Sequence, residues 1–171
     1  PVAYRFRKII KHVQKVINQT NTHVENLIYG DCLEKIELLE NNTVDACITD
    51  PPYGISMHRI GRNKIPIVND TRESATNLIY SFAQKLYSKM KNNTYSVIFS
   101  SDKMLDVFKD AFTTAGFKYV CLCVWKKRSH SQCDMVSSPL IVTEFILLFR
   151  KGRPTWFESR NNVFEFNTPT S

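Results

Sequence analysis

The sequence lacks acidic residues at its beginning and contains little glycine. The first acid among its 171 residues is Glu25, and no two of its five glycines stand close together. No apolar run approaches the ~20 residues needed to cross a membrane as a helix. The first residues also show no continuous apolar core typical of a secretory signal. The lack of a long apolar run argues against a helical membrane protein, and the lack of a signal core argues against a secreted protein. Together they favour a cytoplasmic one.

Paired cysteine motifs are also absent. None of the five cysteines forms a C-x-x-C pair, and their number is odd: Cys32, Cys47, Cys121, Cys123 and Cys133. This pattern does not match a disulfide framework or a metal site. Because most of these cysteines lie in apolar segments, we expect reduced core residues, as is usual in cytoplasmic proteins.

Positive charge, by contrast, is abundant and clustered. The chain has 23 lysines and arginines against 16 acids, a net charge of +7, which indicates an anionic partner, most simply nucleic acid. Two basic clusters lie in or beside the long polar loops predicted at 54–72 and 127–139: Arg59, Arg62 and Lys64, and Lys126, Lys127 and Arg128. We interpret both clusters as DNA contacts, since neighbouring polar side chains suit phosphate and base-edge hydrogen bonds. The alternative is that they are solvated faces of ordinary elements.

Strands and helices alternate along the chain. Apolar periodicity predicts helices over residues 4–18, 32–40, 74–91 and 102–115, and strands over 26–29, 44–49, 95–100, 117–125, 143–149 and 162–166. This order predicts an α/β domain with a mostly parallel sheet. The strands at 117–125 and 143–149 have no helix between them, so we expect an antiparallel strand at one edge. A basic helix within residues 1–24 would precede a single domain at 25–171.

The segment TDPPYG, residues 49–54, directly follows a buried strand. Parallel α/β sheets bind ligands beyond the carboxyl ends of their strands, where this segment and the pair Gly30 and Asp31 would lie. Suppose that the ligand at this edge is an exocyclic amine of a nucleobase. The nitrogen lone pair of such an amine is delocalised into the ring. Acceptors aimed at both amino hydrogens therefore favour attack on an electrophilic methyl group. The Asp50 carboxylate and the Pro51 carbonyl are suitable acceptors.

The other residues of this segment fit the same use. Consecutive prolines fix φ and remove two N–H donors. Tyr53 offers a flat face on which a flipped base can stack, and Gly54 lets the backbone pass close to a ligand. The alternative is structural, because Asp-Pro-Pro terminates strands well and Tyr53 could cap the core. The position at a strand end in a basic chain favours the functional interpretation.

The sequence resembles the amino-group DNA methyltransferases, which modify adenine at N6 or cytosine at N4. The resemblance runs from NLIYGDCLEKIELLENNTVDACITDPPYGI through YSVIFSS, AGFKYVCLCVWKK and EFILLFRKGR to NNVFEFNTPTS, and it covers about residues 25–171. The order is that of the permuted class, in which DPPY precedes the cofactor motif. DPPY is the more specific element, and the Gly-Asp step is the weaker one.

The resemblance implies a Rossmann-like, S-adenosylmethionine-dependent fold and an adenine-specific DNA methyltransferase of a restriction-modification or phage system. It implies that Asp50, Pro51, Pro52 and Tyr53 form the catalytic motif. Asp50 and the Pro51 carbonyl would bind the target amine, and Tyr53 would stack on the flipped base. Asp31 matches the acidic position beside the cofactor's adenosine. An Asp at the first motif position looks more like the adenine branch, and no metal is implied.

One motif of that family is absent. The family binds S-adenosylmethionine through a turn of the form F-x-G-x-G, which the five separated glycines do not form. In the permuted class this turn follows a stretch similar to residues 168–171, where the sequence stops. We therefore expect an incomplete sheet and a chain that is inactive alone. A C-terminal segment or a partner chain would supply the cofactor motif.

Other functions stay open on these residues alone. The chain could be a non-catalytic nucleic-acid-binding fragment or partner subunit that lacks the cofactor motif. The same scaffold could also methylate RNA or a protein side-chain amide. Four further residues could approach a nucleic acid but are more typical of exposed or packing positions: His58, His130, Trp125 and Trp156.

Overall fold

A computed structural model gives the structure of residues 28–54, 70–127, 141–155 and 161–166. The helix predicted within residues 1–24 and most of both predicted polar loops lie outside these ranges. The helices are α1 (Cys32–Lys35), α2 (Arg72–Lys89) and α3 (Leu105–Thr114), with 3-10 turns at Ile36–Leu38 and Asp102–Met104. The strands are β1 (Val44–Thr49), β2 (Met90–Ser100), β3 (Lys118–Lys127), β4 (Thr143–Lys151) and β5 (Val163–Phe166). Within these ranges no helix is both long and apolar enough to cross a membrane.

The five strands form one sheet in the order β1-β2-β4-β3-β5. β1 is parallel to β2 and β3 to β5, whereas β4 is antiparallel to both of its neighbours. The α/β class with a mostly parallel sheet is thus confirmed. The predicted place of the reversed strand was wrong, because β4 lies inside the sheet and not at its edge. Residues 146–149 are all buried, which is the pattern of a central strand covered on both faces.

The structure describes two residues of the strand predicted at 26–29, and neither belongs to a strand. Ile28 and Tyr29 lie outside the sheet, and both are exposed. An extended segment becomes a strand only when a neighbour pairs with its backbone groups. Among the described strands, β1 is an edge and pairs only with β2. Residues 28 and 29 therefore form no strand despite their β propensity, because none of the described strands pairs with them.

Helices α2 and α3 pack together on one face of the sheet. α2 begins at a capping box, in which Thr71 and Ser74 each accept a hydrogen bond from the other's backbone amide. Its buried apolar residues recur at helical spacing and form the face that meets the core: Ala75, Ile79, Ala83 and Leu86. The start and the buried face of α2 thus both follow from local sequence.

Phenylalanines fill the space between α3 and the sheet. Phe112 of α3 stacks on Phe149 of β4 with ring centroids 4.7 Å apart, and Phe117 lies 5.2 Å from Phe112. All three side chains are buried, and each contributes about 1.5–3 kcal/mol relative to an exposed position. This core holds the central strands in place and so fixes where their ends lie.

Helix α3 begins at Leu105, after the 3-10 turn, whereas the prediction began the helix at 102. Ser101 precedes a 3-10 turn and makes no side-chain capping bond. Its hydroxyl instead donates to the Tyr53 carbonyl over 3.5 Å. Ser101, of a residue type that often caps helices, therefore contacts the TDPPYG segment.

Candidate active site

β1 places Asp50 at the carboxyl edge of the sheet. The pairing of β1 with β2 continues to its last residue, Thr49, which lies opposite Ile98. Asp50 follows and is exposed, while residues 51–54 are half-buried. The strand therefore ends in a fixed position with an accessible carboxylate, at the edge where parallel sheets bind ligands.

The turn after β1 has few backbone donors of its own, because its two prolines carry no N–H. From the described parts of the chain, two hydrogen bonds reach its backbone. The Gly54 amide donates to Asp70 Oδ1 over 2.8 Å, and the Ser101 hydroxyl donates to the Tyr53 carbonyl over 3.5 Å. The second is longer than a normal O–H···O bond. Asp70 therefore provides the stronger attachment.

Gly54 is required at the end of this turn. Its φ is +67°, a left-handed conformation that residues with a Cβ rarely adopt. An added Cβ would lie 3.0 Å from Arg72 Cα, 3.3 Å from Met104 Sδ and 3.4 Å from Ala75 Cβ. The turn thus packs directly on the first turn of α2, and a larger residue would require one of the two to move.

The Tyr53 side chain lies close to the Asp50 carboxylate, which affects its titration. Burial raises the pKa of Tyr53 well above its ordinary value, and the nearby carboxylates of Asp50 and Glu144 raise it further. The side chain is therefore a neutral phenol at physiological pH. A carboxylate has about four acceptor sites, so Asp50 keeps acceptors for an amino group.

A second group of side chains lies at the same edge, where β3 ends and β4 begins. Trp125 of β3 pairs with Glu144 of β4. Lys127 forms an ion pair with Glu144 and lies over the Trp125 ring, 5.6 Å from its centroid. Because the charge of Glu144 contributes to the raised pKa of Tyr53, this group is electrostatically connected to the turn after β1.

Two of the six residues predicted to contact DNA fall in the described ranges. The Lys126 side chain is 52% exposed and its ammonium lies 3.4 Å from Glu165. The Lys127 side chain is only 13% exposed and is paired with Glu144. Lys126 thus presents its charge to solvent, whereas Lys127 is mostly buried, and a DNA contact for either stays a prediction. The other four lie outside the described residues: Arg59, Arg62, Lys64 and Arg128.

Asp31, predicted to lie beside the cofactor, caps helix α1. Its Oδ1 accepts hydrogen bonds from the Leu33 amide over 2.8 Å and the Glu34 amide over 3.4 Å. Asp-x-x-Glu at residues 31–34 is a sequence signal for such a cap and could have revealed this role. The contact of Asp31 with a cofactor stays a prediction.

Sequence reasoning missed two residues of this region, Asp70 and Glu144. Asp70 stands before Thr71, and the run Asp-Thr-Arg-Glu signals a helix start. Its bond to Gly54 nevertheless spans 16 residues and has no local signal. Glu144 is the one acid of β4, and its pairing with Lys127 follows from the register of the sheet.

No metal site is found among the residues that the structure describes, since none of them form a group of three or more His, Cys, Asp or Glu. The cysteines in these ranges are free, and the expected core position holds for Cys123 but not for Cys32, which is exposed. Burial raises the pKa of both Cys47 and Cys123 to about 12, so both remain thiols. Cys133 lies outside the described residues.

Sequence comparisons identify relatives. A family model described as DNA methylase, N6_N4_Mtase, matches residues 44–170. The Escherichia coli (strain K12) protein YubD, named as a methylase, is 28% identical over 132 residues, which are 77% of this chain and 54% of YubD. The chain thus spans about half the length of this curated relative.

Solved structures share the fold. The complex of M1.HpyAVI with SAM has a TM-score of 0.55 and 19% identity, covering 80% of this chain and 65% of that one. The cytosine-N4-specific PvuII DNA methyltransferase has a TM-score of 0.64 and 15% identity, covering 83% of this chain and 57% of that one. At such identities the likeness shows the fold alone. It confirms the expected methyltransferase fold.

Proposed function

Since the chain belongs to the N6_N4_Mtase family of DNA methylases, we propose that it forms the catalytic, base-binding part of a DNA methyltransferase. The enzyme would transfer a methyl group from S-adenosylmethionine to N6 of adenine. The observation that carries this proposal is the motif at residues 50–53, which stands at the carboxyl end of β1 with an exposed Asp50 carboxylate close to a neutral tyrosine.

The choice of adenine depends on one residue. Asp50 occupies the first motif position, where an Asp resembles the adenine branch of the family. The fold does not distinguish the two bases, because the PvuII neighbour is cytosine-N4-specific by name. Identification of the methylated base in the product therefore tests the base separately from the reaction.

Two acceptors at this edge suit the reaction of an exocyclic amine. The amine reacts as its lone pair becomes localised on a tetrahedral nitrogen, and acceptors already in place for both hydrogens lower the barrier. The Asp50 carboxylate and the Pro51 carbonyl would be these acceptors, and the proline pair restricts their relative motion. Tyr53 would present its ring to a base turned out of the duplex.

The described residues do not form a complete site for the cofactor. The family uses S-adenosylmethionine, which supplies an electrophilic methyl group. Asp31 offers an acidic contact, but its Oδ1 already accepts the amides that it caps. The sequence also has no closely spaced glycines. The residues present therefore fit only part of such a site.

The free edge of β1 is the proposed attachment point for the remainder of the sheet. In the described sheet β1 pairs on one side only, and its Ile48 is 69% exposed. An edge of this kind pairs readily with another strand. We infer that further strands, from another segment of the protein or from a partner chain, pair with β1 and bring the missing cofactor contacts close to Asp50.

Methyl transfer by the complete protein tests the proposal. DNA is incubated with S-adenosylmethionine that carries a labelled methyl group, and mass spectrometry of the hydrolysed DNA separates N6-methyladenine from N4-methylcytosine. Asp50→Ala is expected to lower the rate about 10²- to 10³-fold. Asp45→Ala, an exposed aspartate of the same strand, is the matched control and should keep the rate. Full activity of Asp50→Ala would contradict the site, whereas N4-methylcytosine as product would contradict only the base.

A second candidate is a non-catalytic nucleic-acid-binding subunit, which the net charge of +7 and the missing glycine turn favour. Calorimetry with S-adenosylmethionine and DNA titrations at several salt concentrations separate the two functions. DNA binding that weakens steeply with salt, without cofactor binding by the complete protein, would support the second candidate. Tight cofactor binding would support the enzyme.

A further inference from the structure

A buried aspartate outside the DPPY motif holds the end of that motif. Asp70 is 4% exposed, precedes the N-cap of α2, and accepts the Gly54 amide over 2.8 Å. A buried carboxylate is unfavourable unless it is hydrogen-bonded. The Gly54 amide and the positive N-terminal end of α2 both stabilise it here. The burial of Asp70 therefore indicates that its contact with Gly54 is a fixed part of the fold.

Within the described residues, this contact holds one of the two ends of the catalytic turn. At its first end, Asp50 follows the paired residue Thr49 of β1. At its other end, the short bond from Gly54 to Asp70 is supplemented by the long bond from Ser101. The acceptors of the proposed reaction lie between these two ends. Their direction therefore depends on both.

Packing at Gly54 does not replace the hydrogen bond. The neighbours of Gly54 on α2 limit how closely the turn approaches the helix. The bond additionally orients the peptide plane between Tyr53 and Gly54, because N–H···O bonds prefer a near-linear arrangement. Loss of the Asp70 acceptor would leave the turn in contact with α2, with only the long bond from Ser101 to orient that peptide plane.

We propose that Asp70 is a positioning residue for the catalytic motif. It holds the Gly54 peptide so that Asp50, the Pro51 carbonyl and Tyr53 face the target base. The inference rests on the proposed function. A misplacement of about 1 Å at reacting groups lowers a rate about 10²-fold, so a remote acceptor of this kind acts on kcat and not on affinity.

Kinetics of the complete protein test this role. Asp70→Ala removes the acceptor and should lower kcat for methyl transfer about 10- to 100-fold, with the KM for DNA changed by less than about threefold. Asp70→Asn keeps a carbonyl oxygen for the Gly54 amide and should keep kcat within about threefold of the wild type. Thr71→Ala is the matched control: it removes the cap of the same helix end, so it should lower thermal stability and leave kcat unchanged.

A readout independent of activity accompanies the kinetics. Hydrogen exchange of the Gly54 amide should be faster in Asp70→Ala and remain protected in Asp70→Asn. A folded Asp70→Ala protein with wild-type kcat contradicts the inference. An Asp70→Asn protein with a strongly reduced kcat contradicts it as well. The second variant keeps the inference testable even if Asp70→Ala does not fold. Loss of kcat in Thr71→Ala contradicts it as well. A wild-type protein that transfers no methyl group to DNA contradicts the proposed function instead, and the exchange of Gly54 then still reports whether Asp70 holds the turn.

Discussion

Two lysines at opposite edges of the sheet each lie over an aromatic ring, yet their partners differ. Lys127, at the carboxyl edge, is paired with Glu144 and lies over a tryptophan ring. Lys151, at the edge where β1 and β2 begin, lies over Tyr87, 4.7 Å from the ring centroid. Its ammonium donates to the carbonyls of Tyr87 and Met90, both over 2.7 Å. One lysine is neutralised by a charge, and the other is bound by backbone carbonyls.

The partners indicate what each edge of the sheet does. The last carbonyls of a helix have no partners within it, and Lys151 binds such groups where α2 ends, so it joins α2 to β4. The pair at the other edge stands near Tyr53, whose pKa the charge of Glu144 helps to raise. The edge where β1 and β2 begin, here called the amino edge, therefore stabilises the fold. The carboxyl edge carries the candidate site.

The largest effect on stability is expected from Lys151→Met at the amino edge. Methionine fills a similar volume but leaves a buried and a half-buried carbonyl without their donor, which should lower the free energy of unfolding by about 2–4 kcal/mol. Urea unfolding followed by circular dichroism measures the change. Lys109→Met is the control, because Lys109 also lies over an aromatic ring but is exposed, and it should change stability by less than about 0.5 kcal/mol. Equal effects of the two substitutions would contradict the role given to burial.

The same lysine predicts a dependence of stability on pH. Burial lowers the pKa of Lys151 below its ordinary value of 10.5, so between these two values the unfolded chain binds more protons than the folded one. Stability contributed by this residue therefore rises with pH through that window. The difference in free energy of unfolding between the wild type and Lys151→Met should increase up to a pH near 10.5 and then level off. A difference that stays constant with pH would contradict a buried, desolvated ammonium.

The end of β1 was predictable from sequence because its signals are local. An apolar run followed by two prolines ends a strand, and β1 ends at Thr49 as expected. The interior position of β4 was not predicted, since the absence of a crossover helix fixes the direction of a strand but not its neighbours. The continuous apolar run at residues 145–149 was the available signal, because only a central strand buries successive residues.

The attachments that hold these elements together were not predictable, because they join distant parts of the chain. Lys151 donates to the Tyr87 carbonyl across 64 residues, and Asp70 accepts from Gly54 across 16. Nothing in the run Arg-Lys-Gly-Arg around Lys151 distinguishes a buried lysine from the many exposed ones. Such contacts follow from the tertiary arrangement and not from local propensity.

A double-mutant cycle on Lys127 and Glu144 tests the carboxyl edge and should give a smaller effect. Their side chains are 13% and 27% exposed, so each charge still reaches some solvent. Lys127→Met and Glu144→Gln are each expected to lower the free energy of unfolding by about 1–2 kcal/mol, with a coupling energy of about 1 kcal/mol between them. Unfolding of the wild type, both single variants and the double variant gives the coupling. A coupling energy as large as the whole effect of Lys151→Met would remove the distinction between the two edges.

The smallest effect is expected at a pair that shares the amino edge but not the burial of Lys151. Lys91 and Asp45 lie 2.6 Å apart, with side chains 46% and 79% exposed. Asp45→Ala should change the free energy of unfolding by less than about 0.5 kcal/mol, because water screens exposed pairs, and salt near 1 M should remove what remains. Urea unfolding at low and high salt measures both. A loss of unfolding free energy as large as that of Lys151→Met would mean that position at this edge, and not burial of the lysine, determines the loss. The contrast between the two edges would then have no basis in desolvation.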